Sequence, residues 1–133
     1  ITPELVIAPQ VTSPLRESLD FDNAVVKFLK GDYDSMFSCC PVEDLFFWEK
    51  SKDGTLESVN YDYQNRKRRQ EISNKYIENG SFYLFTPESL LVNSNRFGKR
   101  VGLIEMEFWK MFEIDSMEDC RMCSALMKEY IIK

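Results

Sequence analysis

Residues 5–42, "LVIAPQVTSPLRESLDFDNAVVKFLKGDYDSMFSCCPV", decide the fold class. A short apolar run at residues 5–8 precedes a loop rich in turn residues, and residues 21–29 then carry apolar side chains at helical spacing. Asp20 or Asp22 can cap this helix, and Gly31 is placed to end it. A second apolar run ends at Pro41. A strand, a loop, a helix and a strand in this order are typical of a parallel sheet, so the stretch predicts an α/β fold.

The next segment interrupts this alternation of strands and helices. Residues 45–63, "LFFWEKSKDGTLESVNYDY", indicate two strands joined around Asp53-Gly54, which is a strong hairpin signal. We expect residues 45–73 to form an inserted arm, and residues 1–44 and 74–133 to form the α/β core. A lone hairpin is marginal in water, so the many aromatic residues of the arm favour burial against a second copy of the chain. The arm therefore predicts a homodimer.

The α/β pattern resumes after the arm. We expect a strand at residues 81–85, a short helix opening at Thr86-Pro87 and a strand at residues 101–107. Ser116 and Asp119 resemble a capping box that begins the last helix.

Composition excludes several classes of protein. The chain has 133 residues, of which 44% are hydrophobic and 29% charged, a composition that suits one globular domain. A net charge of -5 argues against a nucleic-acid binder. No apolar run approaches the roughly 18–20 residues that span a bilayer, and no signal-peptide pattern opens the chain. We expect a cytoplasmic protein with neither nucleic acid nor membrane as a partner.

The four cysteines occur as Cys39-Cys40 and Cys120-x-x-Cys123, and the chain has no histidine. Adjacent cysteines rarely pair, and Cys-x-x-Cys without histidine or a second pair is a poor zinc site. We therefore expect reduced, partly buried thiols. The absence of histidine also excludes Ser-His and Cys-His nucleophiles.

Paired carboxylates occur in "FEIDSMED", residues 112–119. Glu113 and Asp115 are two residues apart at an expected strand end, so their side chains leave on the same side. Such a pair can hold Mg²⁺, which prefers oxygen ligands and keeps waters for phosphate oxygens. The alternative is that Asp115 caps the last helix and Glu113 is solvated.

A second candidate, "QVTSPLR", follows the first strand, and ligands of open α/β sheets bind beyond the carboxyl ends of strands. Gln10 offers a donor and an acceptor, Ser13 a hydroxyl, and Arg16 a planar fork for anions. The alternative is a polar turn that leads into a helix.

The third candidate is "RKRRQEISNKYIENGSFYLF", residues 66–85, which crowds four cations into an acidic chain. One or two of these cations can bind a carboxylate or phosphate, or all can lie on the solvated edge of the arm. Asn79-Gly80 lets the backbone approach a ligand closely. Tyr83 alternates with Phe82 and Leu84, so its ring can face a different side from theirs.

Taken together, these segments resemble the acylneuraminate cytidylyltransferase family. The similar pieces occur in the family's order across essentially the whole chain: "QVTSPLR", "YDSMFSCCPVE", an aromatic arm with "RRQEI", "ENGSFYLF" and "EIDSMED". The resemblance implies a three-layer, Rossmann-like fold of the nucleotide-diphospho-sugar transferase type. It also implies that the arm is the dimerisation element.

The resemblance also implies an activity. Enzymes of this family use CTP and Mg²⁺: the anomeric hydroxyl of a nine-carbon 2-keto acid sugar attacks the α-phosphate, which releases pyrophosphate and leaves a CMP-sugar. Glu113 and Asp115 match the catalytic metal-binding pair. The implied substrate contacts are Gln10, Asn79, Tyr83, and an arm residue, Arg69, which reaches the partner's site. The basic cluster would then supply the counter-charge to the sugar carboxylate.

The chain departs from the family pattern in four places, one of which is Trp48, where some members carry a lysine contact. Val11 stands where proline is common, and Glu113 stands where aspartate is frequent. The glycine-rich, basic nucleotide loop of the family does not occur in the sequence, which favours a C-terminal portion of a longer enzyme over a degenerate member. The alternative function is a non-catalytic module of the same fold that binds acid sugars or forms dimers. A 3-deoxy-manno-octulosonate enzyme is a further reading, but "NGSFY" and "TSPLR" favour the nine-carbon group.

Overall fold

The computed structural model describes residues 3–68 and 74–132. Its helices and strands are β1 (Val6–Pro9), α1 (Ser18–Lys30), β2 (Ser35–Val42), β3 (Trp48–Lys50), β4 (Leu56–Ser58), β5 (Lys75–Phe85), α2 (Pro87–Asn93), β6 (Val101–Glu105), a 3-10 helix (Phe108–Met111) and α3 (Met117–Tyr130). Among these residues, no helix has the length and apolar character needed to cross a bilayer.

Four strands form a mixed sheet in the order β1-β5-β2-β6. β1 runs antiparallel to β5, with Val6 opposite Phe85, whereas β2 runs parallel to β6, with Ser35 opposite Val101. The predicted α/β class is confirmed. The sheet is mixed rather than purely parallel, because β5 lies between β1 and β2 and pairs antiparallel with β1.

β5 occupies an inner position because of its sequence. Its last seven residues, 79–85, are all buried, and an uninterrupted buried run is typical of a strand covered on both faces. The strand begins at Lys75 and therefore extends further toward the N-terminus than the predicted residues 81–85. Asn79-Gly80 consequently lies inside the strand and not before it.

α1 ends at Gly31 as expected, but it begins at Ser18 with Glu17 as its N-cap, so neither Asp20 nor Asp22 is the N-cap; Asp20 completes a capping box from the third helical position. The backbone N–H of Glu17 donates to the Asp20 carboxylate at 2.8 Å, and the N–H of Gly31 donates to the carbonyl of Lys27 at 3.1 Å. Ala24 and Phe28 are buried against the sheet. Leu29 is 72% exposed, so its predicted place in the apolar stripe is wrong. The helix thus contributes a narrower apolar face than its sequence indicated.

The main hydrophobic cluster lies between α1 and the sheet. Its buried members are Ala24, Phe28, Met36, Cys40, Phe82, Leu84 and Met106. The ring of Phe21 lies 4.7 Å from the ring of Phe82, which fixes α1 over the centre of β5. This packing leaves the opposite face of β5 for other side chains.

α3 begins with the predicted capping box. The N–H of Asp119 donates to Ser116 Oγ at 3.2 Å, and the N–H of Ser116 donates to Asp119 Oδ2 at 2.8 Å. Cys123 is buried on this helix, and the exposed ring of Tyr130 stacks on Trp109 at 4.6 Å. The four cysteines form no disulfide in the structure; Cys39, Cys40 and Cys123 are buried and Cys120 is partly exposed.

The chain divides into two compact units. Residues Val42–Lys75 form the smaller one, here called the arm unit, and the flanking segments form the core unit. In the arm unit β3 and β4 pair antiparallel, with Trp48 opposite Ser58, and Gly54 in the turn has a φ of 91°. The predicted hairpin around Asp53-Gly54 is therefore confirmed.

Candidate functional site

A bulge at Gly80 decides which side chains of β5 face the site. Gly80 has a φ of 62°, a left-handed conformation that glycine adopts without steric cost. Before it, Ile77 and Asn79 point to the hydrophobic cluster; after it, Phe82 and Leu84 do. In a regular strand the side chains that face the cluster would all have odd residue numbers or all have even ones. Here the numbers change from odd to even at Gly80, so the bulge shifts the alternation by one residue.

Asn79 holds this bulge in place. Its Oδ1 accepts hydrogen bonds from Ser38 Oγ at 2.6 Å and from the N–H of Ser81 at 3.2 Å, and its Nδ2 donates to the carbonyl of Lys110 at 3.2 Å. The residue is 1% exposed. Its side chain is thus committed to interior hydrogen bonds, and these shape the backbone of the site.

Gln10 and Glu113 converge on the backbone of Gly80. A Cβ placed on Gly80 would lie 1.6 Å from Glu113 Oε1 and 2.6 Å from Gln10 Oε1. Ser13, which is buried, donates through Oγ to the same Glu113 oxygen at 3.3 Å. The structure therefore brings together four residues that the sequence singled out, from three separate segments.

Arg16 orders the loop that carries Gln10 and Ser13. Its Nη1 donates to the carbonyl oxygens of Gln10 at 2.9 Å, Ser13 at 2.7 Å and Ser81 at 3.1 Å. Burial lowers the pKa of the Arg16 guanidinium from its usual value. In this structure Arg16 fixes the loop to β5. The sequence pattern predicts anion binding by Arg16 and does not indicate this structural role.

Glu113 and Asp115 lie between the 3-10 helix and α3, so their predicted position at a strand end is wrong. The N–H of Ile114 donates to the carbonyl of Thr12 at 2.7 Å and joins this segment to the loop after β1. Asp115 is exposed, and Ser116 rather than Asp115 caps α3. Within residues 3–68 and 74–132, no group of three or more acidic, Cys or His side chains is placed to hold a metal.

Tyr83 belongs to a cluster that the sequence did not indicate. Its hydroxyl donates to Glu78 Oε1, and the Arg96 guanidinium lies 3.6 Å from its ring centroid. Arg96 Nη2 is 3.9 Å from Glu78 Oε1, and Phe97 meets the Tyr83 ring edge-on at 5.9 Å. Burial first, and then the bond to Glu78, raise the pKa of Tyr83 to about 12, and the charge of Glu113 adds to this rise.

The bulge explains why the sequence pattern did not place Glu78 beside Tyr83. Residues 78 and 83 have opposite parity in an ideal strand, so their side chains would leave on opposite faces. The shift at Gly80 places them on one face, where they form a hydrogen bond. No local sequence signal indicates that shift except the Asn79-Gly80 pair itself.

Lys110 is a second residue that the sequence did not indicate. Its Nζ contacts the carboxylates of Glu107 at 2.8 Å, Glu17 at 2.9 Å and Asp20 at 2.9 Å, and its side chain is 1% exposed. Burial lowers the pKa of Lys110, but the three hydrogen bonds outweigh burial and the net shift is upward. The residue joins the start of α1 to the 3-10 helix, and its carbonyl accepts the Asn79 amide.

The basic cluster lies in the arm unit. The Arg66 guanidinium lies 4.6 Å from the ring centroid of Phe46, and Lys67 and Arg68 are exposed. Arg69, the residue expected to reach the partner's site, lies outside the described residues. Its role remains a prediction.

The core unit also has a cleft of about 290 Å³ that contains none of the predicted site residues. Its lining includes Tyr33 and Asp34 before β2, residues of α2, and Lys99 with Arg100 before β6. Arg100 is already paired there with Asp32 at 2.7 Å. The convergent side chains around Gly80, and not this cleft, define the candidate site.

Comparison with known proteins supports the motif assignment, although no family model matches the chain. The chain is 30% identical over 128 residues to post-translational flagellin modification protein B of Campylobacter coli, covering 95% of the chain and 54% of that protein. It is 35% identical over 109 residues to N-acylneuraminate cytidylyltransferase A of Danio rerio, covering 80% of the chain and 25% of that protein. A Streptococcus agalactiae N-acylneuraminate cytidylyltransferase is 28% identical over 113 residues, covering 83% of the chain and 27% of that protein.

These similarities relate the chain to nucleotidyltransferases. More closely, they confirm the resemblance to the acylneuraminate cytidylyltransferase family, to whose members the chain is related in sequence over most of its length. The chain spans about half, or less, of the length of these curated relatives.

Proposed function

We propose that the chain carries the acid-sugar and metal-binding part of a cytidylyltransferase. The reaction transfers CMP from CTP to the anomeric hydroxyl of a nine-carbon 2-keto acid sugar and releases pyrophosphate. The observation that carries this proposal is the convergence of Gln10, Ser13 and Glu113 on Gly80. Relatives named N-acylneuraminate cytidylyltransferases support it.

The position of the site in the sheet supports a three-layer, Rossmann-like arrangement of the nucleotide-diphospho-sugar transferase type. Gln10 and Ser13 follow the carboxyl end of β1, the edge where ligands of open α/β sheets bind. The mixed sheet and three helices are compatible with such a fold. We propose this arrangement for the core unit.

Glu113 and Asp115 fit a Mg²⁺ site that a substrate completes. Glu113 is half-buried and already oriented by Ser13, while Asp115 is exposed to incoming ligand. Mg²⁺ is usually bound by one or two carboxylates together with waters and phosphate oxygens, so two carboxylates are sufficient. When bound, the ion would neutralise charge on the phosphate oxygens.

The remaining residues position these groups. Phosphoryl transfer depends chiefly on alignment and charge neutralisation, so a chain without histidine can support it. Arg16 holds the loop that carries Gln10, Ser13 orients Glu113, and Gly80 leaves the space that both side chains occupy. Each of these contacts is made within the core unit before any ligand binds, which lowers the cost of ordering the site.

We also propose that the chain forms a homodimer through the arm, residues 45–73, with Arg69 directed to the partner's site. In the arm unit Trp48 Nε1 donates to the Tyr61 hydroxyl at 2.9 Å, so the aromatic side chains form an ordered surface. Among the described residues of this unit, the large apolar side chains that are exposed are Phe47, Trp48, Leu56, Val59 and Tyr63. Such a patch on a two-stranded hairpin is typical of an interface. Sedimentation of Trp48→Ser should show monomers where the unaltered protein shows dimers.

The enzyme assignment is tested with the longest natural form of the protein. It is mixed with CTP, Mg²⁺ and, separately, sialic, legionaminic or pseudaminic acid, and products are followed by phosphorus NMR. We expect pyrophosphate and a CMP-sugar with one of the three acids. Binding of an acid sugar without turnover would support the non-catalytic module instead, and neither binding nor turnover would contradict both functions.

A further inference from the structure

Arg96 has the features of an anion-binding side chain. Its guanidinium lies flat over Tyr83, 3.6 Å from the ring centroid, so stacking fixes the plane of the group. Stacking uses the face of a guanidinium and leaves its N–H edge available. Its side chain is 42% exposed, so solvent reaches that edge.

The polar contacts of Arg96 are weak. Among the described residues, its carboxylate partner is Glu78, at 3.9 Å, which is beyond hydrogen-bond distance. The Glu78 oxygen is already bonded to the Tyr83 hydroxyl. Arg96 is therefore held in orientation by Tyr83, while none of its five donors is bonded to a strong acceptor in the part of the chain that the structure describes.

The surroundings of Arg96 connect it to the candidate site. Tyr83 lies on the face of β5 opposite the hydrophobic cluster, three residues after Gly80, on whose backbone Gln10 and Glu113 converge. Ser81, which shares this face by alternation, is fully buried, and its Oγ has no hydrogen-bond partner among the described residues. The face of β5 that carries Tyr83 thus also carries a buried hydroxyl that can bond to a polar group of a ligand.

We propose that Arg96 binds the carboxylate of the acid sugar from within the same chain, and that it determines specificity for an acidic substrate. The inference rests on the proposed function and deepens it, because it assigns the counter-charge to a core-unit residue in addition to the arm. A carboxylate accepts two parallel N–H bonds from a guanidinium, a geometry that Glu78 does not provide at 3.9 Å. Tyr83 then supports Arg96 rather than contacting the carboxylate itself.

The test compares binding of an acid and of its neutral ester. Isothermal titration calorimetry first measures sialic, legionaminic and pseudaminic acid against the unaltered protein, and then the best ligand and its methyl ester against Arg96→Met. We expect the unaltered protein to prefer the acid at least about tenfold, and Arg96→Met to lose that preference while its affinity for the ester is unchanged. A merely structural role of Arg96 would weaken acid and ester equally.

Arg121→Met, on the exposed surface of α3, is the matched control and should keep the preference. Arg96→Lys retains the positive charge but lacks the planar guanidinium, so this variant should keep only part of the preference for the acid. Preference for the acid in Arg96→Met equal to that of the unaltered protein would overturn the inference and leave the enzyme assignment intact. Failure of the unaltered protein to bind any of the three acids would overturn both.

Discussion

The hydroxyl of Ser13 donates a hydrogen bond of 3.3 Å to Glu113 Oε1, across 100 positions of sequence. The bond joins the loop after β1 to the segment before α3, and both flank Gly80 in the middle of β5. The candidate site is thus assembled from three distant segments whose positions depend on one another. Substitutions that displace one segment should therefore also displace the other two.

Gly80→Ala should destabilise the protein more than Gly54→Ala does. Both glycines have positive φ, so each alanine costs about 1–2 kcal/mol in backbone strain. At Gly54 the added Cβ meets nothing closer than Lys50 Cε at 3.9 Å, whereas at Gly80 it would lie 1.6 Å from Glu113 Oε1. Urea denaturation should show a loss for Gly80→Ala that exceeds the backbone strain of about 1–2 kcal/mol, because the Glu113 and Gln10 side chains must also move. Equal losses for the two variants would contradict the close approach of Glu113.

Lys110→Met should be among the most destabilising single substitutions outside the hydrophobic cluster. It leaves the largely buried Asp20 carboxylate without its cation, and breaking a buried ion pair typically costs about 3–5 kcal/mol. The Glu17 and Glu107 side chains are 45% and 59% exposed, so the loss of their contacts with Lys110 adds little. Lys128→Met, at an exposed position of α3, should change the free energy of unfolding by less than about 0.5 kcal/mol. Similar losses in both variants would show that the three contacts contribute little.

The same cluster should make stability depend on pH. The hydrogen bond from Lys110 lowers the pKa of Glu107 from its usual value of 4.5. A carboxyl whose pKa is lower in the folded state stabilises that state above its unfolded pKa, and the contribution is lost as pH falls through the folded value. Denaturation midpoints measured from neutral pH to about pH 3 should fall more steeply for the unaltered protein than for Lys110→Met. Parallel curves would argue against this coupling.

Divalent cation binding should depend on both predicted ligands. Binding of Mn²⁺, followed by electron paramagnetic resonance in the presence of CTP, should weaken at least about tenfold in Glu113→Gln and in Asp115→Asn, because each removes a charged oxygen ligand. Glu129→Gln, at the exposed end of α3, is the matched control. Normal Mn²⁺ affinity in Glu113→Gln and Asp115→Asn would remove the metal site from the proposed mechanism.

The thiols should react in an order that follows burial. Burial raises the pKa of Cys39 to about 12 and that of Cys40 to about 11, and it also raises the pKa of Cys123. Since the thiolate is the reactive form, these three should react slowly with a disulfide reagent near about pH 8. Cys120 is less buried and should react first; Cys120→Ser should abolish the fast phase. A fast phase that survives this substitution would contradict the packing of β2.

Local signals in the sequence were sufficient for several elements. Asp53-Gly54 predicts the hairpin, Thr86-Pro87 the start of α2, and Ser116 with Asp119 the start of α3, because each acts through a turn or a cap formed by near neighbours. The convergence of Gln10 and Glu113 followed from the family resemblance, and the structure supplies the geometry. These predictions needed no knowledge of long-range packing.

Two features could not be predicted from local patterns. The antiparallel pairing of β1 with β5 is set by contacts about 76 residues apart along the chain, beyond any periodicity signal. The residues around Lys110 in the sequence do not indicate that its side chain is buried. Only the fold brings Asp20 and Glu17 close to it. The Glu78, Tyr83 and Arg96 cluster was missed for the related reason that the bulge interrupts the alternation on which strand prediction depends.

The bulge at Gly80 has a consequence for engineering the specificity of this protein. If the same residues formed a regular strand without the bulge, unbroken alternation would turn Phe82 and Leu84 outward and send Tyr83 inward. Transplanting ligand-facing residues from a relative will therefore succeed only if the donor segment carries its own left-handed glycine at the equivalent place. Without this glycine, the transplanted side chains would lie on the opposite face of the sheet.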